Sequence, residues 1–178
     1  MIDDKKFDTE DWVEGVEDDG IKRMGEEFGI ISLTKHRDSI LMWSHYASSH
    51  TGFCIGFKSE KIFFSKNRFG AGGVVNYTSK FPEILPSEEY FRRTMKILYT
   101  KLDIWKYEDE YRLTKYQAAN KTVKFTPDEV AEIIIGCSMS KSNIDSLLNI
   151  CKANLPNIPI FKTVQEKYSF KLSFERVL

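Results

Sequence analysis

A short and wholly apolar run, Ile133–Gly136, most constrains the fold of this chain. Its four residues are too few for a core helix, and three successive β-branched side chains favour a buried strand. Phe53–Phe57 and Gly29–Thr34 are two further runs with the length and character of strands. Within the first of these, Gly56 indicates a β-bulge or a close backbone approach. The sequence therefore predicts a sheet with Ile133–Gly136 as a central strand.

The other elements are marked by capping residues and by alternation of apolar side chains. The predicted helices are Asp8–Phe28, a helix capped by Asp38 that ends near His50–Gly52, one from Ser87 to about Leu102, and one capped by Ser140 or Ser142 that reaches Asn154. Further strands are predicted at Val74–Thr78, Tyr107–Tyr116, Lys121–Phe125, Ile158–Val164 and Ser169–Val177, with a hairpin turn at Gly70–Gly73 and a helix start at Thr126–Glu129. Several strands follow one another without helical crossovers, so antiparallel pairing should dominate.

These elements predict an α+β fold with a mainly antiparallel or mixed sheet and about four helices packed around it. The 178 residues suit a single domain, 1–178, with an acidic helical arm over residues 1–28 and an α+β core over residues 29–178.

The charges of the chain balance but are unevenly spread. With 26 basic and 26 acidic residues, no net charge draws the chain to nucleic acid or to an anionic membrane. Residues 1–27 hold eleven acidic and four basic residues, whereas residues 58–124 hold fourteen basic and eight acidic ones. Either the acidic arm docks onto the basic stretch, in the same or a second copy, or both stretches are ordinary solvated faces. The oligomeric state is left open.

Three cysteines, Cys54, Cys137 and Cys151, occur without paired spacing, which argues against a disulfide framework. The N-terminus is acidic and lacks the apolar stretch of a signal peptide, and no apolar run is long enough to span a bilayer. We therefore expect a cytoplasmic protein without membrane contact.

The segment Trp105–Arg112 holds the strongest candidate for chemistry. If it is extended, Glu108, Glu110 and Arg112 point to the same side. Paired carboxylates on one face can divide acid–base work, because their repulsion pushes their pKa values apart. The alternative is an ion pair between Arg112 and a glutamate that only fixes the strand.

A second candidate is the segment Trp43–Ala47. Trp43 and Tyr46 are three residues apart and are predicted to share the inner face of a short helix, with His45 off that face. His45, His50 and Cys54 have the spacing H-x4-H-x3-C, but three ligands without a C-x2-C partner fall short of a structural zinc site. No metal site is predicted.

Five blocks in order carry a family resemblance: Ile31–Thr34, Asp38–Ala47, Thr51–Phe57, Trp105–Arg112 and Ile134–Gly136. Together they resemble the bacterial domain-of-unknown-function family twenty-nine seventy-one, over about Gly29 to Ser140. Members usually begin with a Tyr-Lys-Tyr-Arg-like strand and an Asn-Asp-Pro-Phe-Asp-like motif, which are not present here. The resemblance implies no established activity.

The segments Ser32–Thr34 and Glu108–Glu110 also resemble one branch of ADP-ribosyltransferases, which carries, in order, an Arg or His strand, a Ser-Thr-Ser-like strand and a Glu-x-Glu strand. This resemblance implies NAD as the substrate, Glu110 as the catalytic residue and Glu108 as its helper. It implies Ser32 and Thr34 as supports in substrate binding. His45, Tyr46 and Arg112 are the further candidates for substrate binding, from the two segments described above.

Three functions follow as alternatives. The first is an NAD-using ADP-ribosyltransferase or glycohydrolase, in a toxin or phage-defence setting. The second is a non-catalytic module that binds protein or nucleic acid, since charge is unevenly spread. The third is a metal-assisted phosphodiester-cleaving enzyme that uses the same carboxylates. A Glu110 buried in an ion pair with Arg112, without a cleft, would contradict the first.

Overall fold

The structure is a computed structural model that describes residue 22 and residues 25–63, 68–85 and 87–178. The predicted acidic arm, residues 1–28, lies mostly outside the described residues. In chain order the elements are β1 (Phe28–Leu33), α1 (Ile40–Tyr46), β2 (Phe53–Phe57), α2 (Ser59–Ile62), β3 (Ala71–Val74), β4 (Asn76–Thr78), α3 (Tyr90–Leu98), β5 (Thr100–Leu102), a 3-10 helix (Asp103–Glu108), β6 (Tyr111–Tyr116), a second 3-10 helix (Pro127–Glu129), β7 (Val130–Ile135), α4 (Lys141–Asn154), β8 (Ile160–Gln165) and β9 (Leu172–Arg176).

The described chain falls into two compact units, each built from two separated segments. The first unit takes the described residues up to Leu33 together with Arg68–Thr122, and the second takes Thr34–Asn67 and Val123–Leu178. The prediction of one domain over residues 1–178 stays a prediction. The first unit holds a three-stranded sheet and a separate two-stranded pair, and the second unit holds a four-stranded sheet.

In the first unit, β6 lies between β1 and β3 and is antiparallel to both. A short parallel pair, β4 and β5, forms a separate two-stranded sheet. The core of the unit contains Leu113 and Thr114 of β6, and Thr94 and Leu98 of α3. Leu113 and Thr114 are adjacent and point to opposite faces of the sheet, so β6 is buried on both faces.

Several predictions for the first unit are wrong. Gly70–Gly73 is not a hairpin turn, because most of it forms β3, in which a Cβ at Gly72 would lie 2.9 Å from the Tyr111 hydroxyl. The helix predicted to reach Leu102 ends at Leu98, since the backbone leaves it to pair with β4. The predicted strand Lys121–Phe125, which begins in the first unit and ends in the second, is also wrong, because these residues are described and form no strand.

The extended segment predicted from Tyr107 to Tyr116 is also only half right. Residues up to Glu108 form a 3-10 helix, and Asp109 ends it in the left-handed conformation, with φ 44° and ψ 53°. The strand β6 begins only at Tyr111. The alternation argument for Glu108 and Glu110 therefore does not apply to the observed backbone.

In the second unit the strand order is β2-β7-β8-β9. The crossover from β7 through α4 to β8 is parallel, whereas the pairs β2–β7 and β8–β9 are antiparallel. Ile134 and Ile135 are completely buried, so the prediction of a central strand at Ile133–Gly136 is confirmed. Ile133 and Ile135 pack towards α4, whereas Ile134 packs towards Trp43 of α1.

Local signals around this sheet were also confirmed. The register of β2 shifts between Gly56 and Phe57, and a Cβ at Gly56 would lie 2.6 Å from Glu132 Cγ. Ser140 is the N-cap of α4 and accepts a hydrogen bond from Asn143 N. The predicted helix start at Thr126–Glu129 is the second 3-10 helix.

The helix α1 differs from its prediction at both ends. Its N-cap is Ser39, not Asp38, and the helix ends at Tyr46. Ser48, Ser49 and His50 follow with φ values of 47°, 53° and 66°, which turn the chain sharply before Gly52. This left-handed turn ends the helix earlier than the predicted end near His50–Gly52.

The two sheets of three and four strands, the short parallel pair and the helices confirm the predicted α+β class with antiparallel and mixed pairing. In the part of the chain that the structure describes, no helix combines the length and apolar character needed to cross a membrane.

Candidate functional site

Four charged side chains of the first unit converge at the start of β6 and form what we call the carboxylate–cation cluster: Lys101, Glu108, Glu110 and Arg112. Lys101 comes from β5, Glu108 from the end of the 3-10 helix, and Arg112 from β6. The left-handed residue Asp109 reverses the backbone between the two glutamates, and both reach the same lysine.

Glu110 accepts hydrogen bonds on both of its oxygens. Arg112 Nε donates to Oε1 at 2.7 Å, and Arg112 Nη2 donates to Oε2 at 3.1 Å. Lys101 Nζ also donates to Oε2, at 3.2 Å, and the Ser32 hydroxyl bonds the same carboxylate. Ser32 is placed for this bond because it lies directly opposite Arg112 in the pairing of β1 with β6. A bidentate arginine and a lysine are the strongest partners that a carboxylate finds in a protein.

Lys101 bridges the two glutamates, since its ammonium also forms an ion pair with Glu108. The side chains of Glu108 and Glu110 are only 3% and 4% exposed, whereas those of Lys101 and Arg112 are 21% and 15% exposed. Two negative and two positive charges therefore compensate each other below the surface. Burial of such charges is tolerated only with this kind of pairing.

Backbone contacts fix the cluster further. The Glu110 N–H donates to the Tyr77 hydroxyl at 2.9 Å, and Val75 N–H donates to the Glu110 carbonyl at 3.0 Å. Arg112 Nη1 donates to the carbonyl of Leu98, the last residue of α3. The cluster is therefore tied to β4, α3 and β6 at once.

These surroundings keep Glu110 ionised. Burial by itself raises the pKa of Glu110, but hydrogen bonds from Arg112, Ser32 and Lys101 outweigh it and lower the pKa to about 2. Burial likewise lowers the pKa of Lys101, and its bonds to Glu108 and Glu110 raise it above its usual value. Near neutral pH Glu110 has no proton to donate and holds its charge too strongly to act as a base.

The structure places the other predicted site residues elsewhere. Thr34, His45 and Tyr46 belong to the second unit, whereas Ser32 and the cluster belong to the first. The prediction that Trp43 and Tyr46 share an inner face is wrong, because Trp43 is 3% and Tyr46 61% exposed. On the outer side of α1, the His45 and Tyr46 rings pack edge to face, 6.3 Å apart.

Sequence reasoning missed Lys101 and Tyr77, which contact the two glutamates. Lys101 lies between Thr100 and Leu102 in a three-residue strand, and no local pattern distinguishes it from a solvated lysine. His50 was considered in the sequence only as a zinc ligand; its Nε2 lies 3.0 Å from the Ser44 hydroxyl, and its Nδ1 is buried without a hydrogen-bond partner. Among the described residues, no group of His, Cys, Asp and Glu is arranged to hold a metal ion.

Fold and cluster together define an α+β protein with a buried carboxylate–cation cluster, a class that by itself fixes no reaction. Residues 42–113 match the model of the family described as "Protein of unknown function (DUF2971)". Over this segment the chain is similar to that family, so the first resemblance predicted from the motifs is confirmed there. The matched segment includes the Trp43–Ala47 and Trp105–Arg112 motifs. No curated protein and no solved structure matches the chain significantly. The resemblance to ADP-ribosyltransferases gains no support from these comparisons.

Proposed function

We propose that the chain is a non-catalytic binding module and that the carboxylate–cation cluster holds its first unit together. One observation carries this proposal: both oxygens of the buried Glu110 are occupied by donors of the same chain. The partner class is nucleic acid or protein, and the expected location is the cytoplasm.

The saturation of Glu110 argues against a catalytic role. A glutamate that stabilises an oxocarbenium-like transition state must direct an oxygen at the developing charge. For Glu110 that would mean giving up charge-assisted bonds from Arg112 or Lys101. Separating one partner from a buried ion pair costs about 3–5 kcal/mol, which substrate binding would have to supply.

Ion pairs hardly change the excess of positive charge in the basic stretch, residues 58–124. Among its described basic residues, those paired with carboxylates include Lys61 with Asp128, Lys96 with Glu88, and Lys101 and Arg112 within the carboxylate–cation cluster. Of these carboxylates, Asp128 lies outside the stretch, whereas the other three already count among its eight acidic residues.

An NAD-using ADP-ribosyltransferase or glycohydrolase, in a toxin or phage-defence setting, is the second candidate. Its support is the contact between Ser32 and Glu110, because the resemblance associates a Ser-bearing strand with the second glutamate. Thr34, the other residue of that strand pattern, lies in the other unit. The metal-assisted phosphodiesterase has no such supporting contact.

A calorimetric titration with NAD, followed by an assay of nicotinamide release, separates the two candidates. Three proteins are compared: the unmodified chain, Glu110→Gln, and Glu83→Gln as a control at an exposed glutamate of the same unit. We expect neither binding heat nor release from any of them. Release by the unmodified chain and by Glu83→Gln, lost in a Glu110→Gln variant with native circular dichroism, would overturn the proposal.

A further inference from the structure

The strands β8 and β9 form a ribbon that extends beyond the strand beside it. The pairing of β7 with β8 stops where Ile135 meets Lys162, whereas β8 and β9 stay paired as far as Gln165 and Leu172. The ribbon therefore runs three residues past its last backbone pairing with β7, about 10 Å at the rise of a strand. Residues 166–171 close it, with the Glu166 N–H donating to the Lys171 carbonyl at 3.1 Å. We call these six residues the aromatic tip.

Two aromatic rings stand out from the aromatic tip. Tyr168 is fully exposed and Phe170 is 94% exposed, more than any other large hydrophobic side chain among the described residues. Aromatic rings normally supply much of the apolar area that a fold buries. Neither ring does so here, so the fold gains little from having them at these positions.

The backbone conformation of Tyr168 also favours a binding role for the aromatic tip. Its φ is 61°, in the left-handed region that glycine and asparagine adopt most readily. A bulky residue held there is strained, and strained residues cluster where a chain binds something. Tyr168 therefore combines a fully exposed ring with a left-handed backbone in the turn between β8 and β9, where glycine or asparagine would fit with less strain.

The side chains of the aromatic tip favour binding to a partner that is anionic and contains flat rings. Lys167 precedes Tyr168, and Lys171 follows Phe170, so a positive charge lies next to each ring. Both lysines are exposed. Single-stranded nucleic acid offers bases that stack on aromatic rings and phosphates that attract lysine.

We propose that the aromatic tip binds single-stranded nucleic acid, with Tyr168 and Phe170 stacking on bases and Lys167 and Lys171 contacting phosphates. This inference rests on the proposed binding function and names its partner. Glu166 repels the phosphates of nucleic acid and of an anionic lipid surface alike, so the choice of nucleic acid rests on the apolar side chains of the aromatic tip. Its two apolar side chains are far fewer than an amphipathic membrane element presents.

Binding is measured by fluorescence anisotropy with labelled dT20 and U20, between about 50 and 200 mM salt, the range over which phosphate contacts are sensitive to salt. The double variant Tyr168→Ser/Phe170→Ser removes both rings, and Phe81→Ser is the control at an exposed aromatic of the other unit. We expect the tip variant to weaken binding at least about thirtyfold, since each of the two rings stacks with about 1 kcal/mol or more, and the control to leave binding unchanged.

The lysines give a second and independent readout. Replacing Lys167 and Lys171 by glutamine should flatten the dependence of log Kobs on log salt by about 1.4, since each phosphate contact with a single strand contributes about 0.7. Lys152→Gln, at an exposed lysine of α4, should leave the slope unchanged. Tyr168→Gly should weaken binding while raising the melting temperature, because glycine relieves the left-handed backbone.

Three outcomes would overturn the inference: no binding by the unmodified chain, equal binding by the tip variants, or binding to phosphatidylserine vesicles in place of the oligonucleotides. Failure here without nicotinamide release leaves the non-catalytic module standing with another partner. Release of nicotinamide would overturn the module itself, whatever the oligonucleotides do.

Discussion

Glutamine at position 110 keeps the size of the side chain but removes the charge that Arg112 and Lys101 both contact. Whichever way the new amide is turned, its NH2 group faces a donor of Arg112, because that arginine bonds both oxygens. Glutamine resembles the protonated glutamate, so the pKa shift of Glu110 gives the free energy of unfolding that Glu110→Gln loses. A fall from 4.5 to about 2 corresponds to about 3 kcal/mol of unfolding free energy, at 1.36 kcal/mol for each pKa unit.

The loss should be measured for the unit that holds the cluster. Urea unfolding followed by 19F NMR of 5-fluorotryptophan does this, since Trp105 reports on the first unit and Trp43 on the second. Trp105 is well placed, because Lys101 Nζ lies 5.3 Å from the centre of its ring. At a denaturant slope of about 2 kcal/mol/M, Glu110→Gln should lower the urea midpoint of Trp105 by about 1.5 M.

Glu83→Gln serves as the matched control and should stay within about 0.5 kcal/mol of the unmodified chain, as is usual at exposed positions. A Trp105 midpoint that is the same in Glu110→Gln and in Glu83→Gln would refute the reasoning. The bonds around Glu110 would then contribute nothing to folding, and its burial among cations would need a functional explanation.

Two further predictions concern pH and packing. The folded pKa of Glu110, about 2, lies below the usual 4.5, so its stabilisation is present above pH 4.5 and lost as pH falls towards 2. Urea titrations should show this loss in the unmodified chain and a smaller one in Glu110→Gln; parallel curves would contradict it. Gly136→Ala places a Cβ 2.1 Å from the His50 carbonyl oxygen, where only backbone could yield, and should destabilise by about 3 kcal/mol or more. Thermal melts test this against Gly25→Ala, whose Cβ meets nothing within 4 Å and which should not destabilise.

Local patterns predicted the second unit well. The β-branched residues of Ile133–Gly136 indicate a buried strand by themselves, without knowledge of the strands that pair with it. The bulge at Gly56 and the cap at Ser140 are likewise properties of a few neighbouring residues. At these positions the signal and the element that it marks are adjacent in sequence, and pattern and structure agree, whereas the predicted ends of α1 do not agree with the structure.

In the first unit, prediction from local patterns failed where a segment pairs with a strand that is distant in the sequence. The sequence of β3, Ala-Gly-Gly-Val, has few of the bulky apolar side chains that predict a strand. It forms a strand because it pairs with β6. The helix α3 stops at Leu98 for a similar reason, since the next residues pair with β4. The residues of β3 and those after Leu98 do not by themselves identify the strands with which they pair, β6 and β4.

The candidate site shows the same limit in its chemistry. A Glu-x-Glu pair on a regular strand would direct both carboxylates to one face, where both could contact a substrate. Here the left-handed Asp109 separates a 3-10 helix from a strand, and the two glutamates meet at Lys101 instead. What decides the role of Glu110 lies outside the motif, in Lys101 on β5 and in Arg112 two residues further along. The spacing of two glutamates is therefore weak evidence for ADP-ribosyl chemistry unless the cations around them are also known.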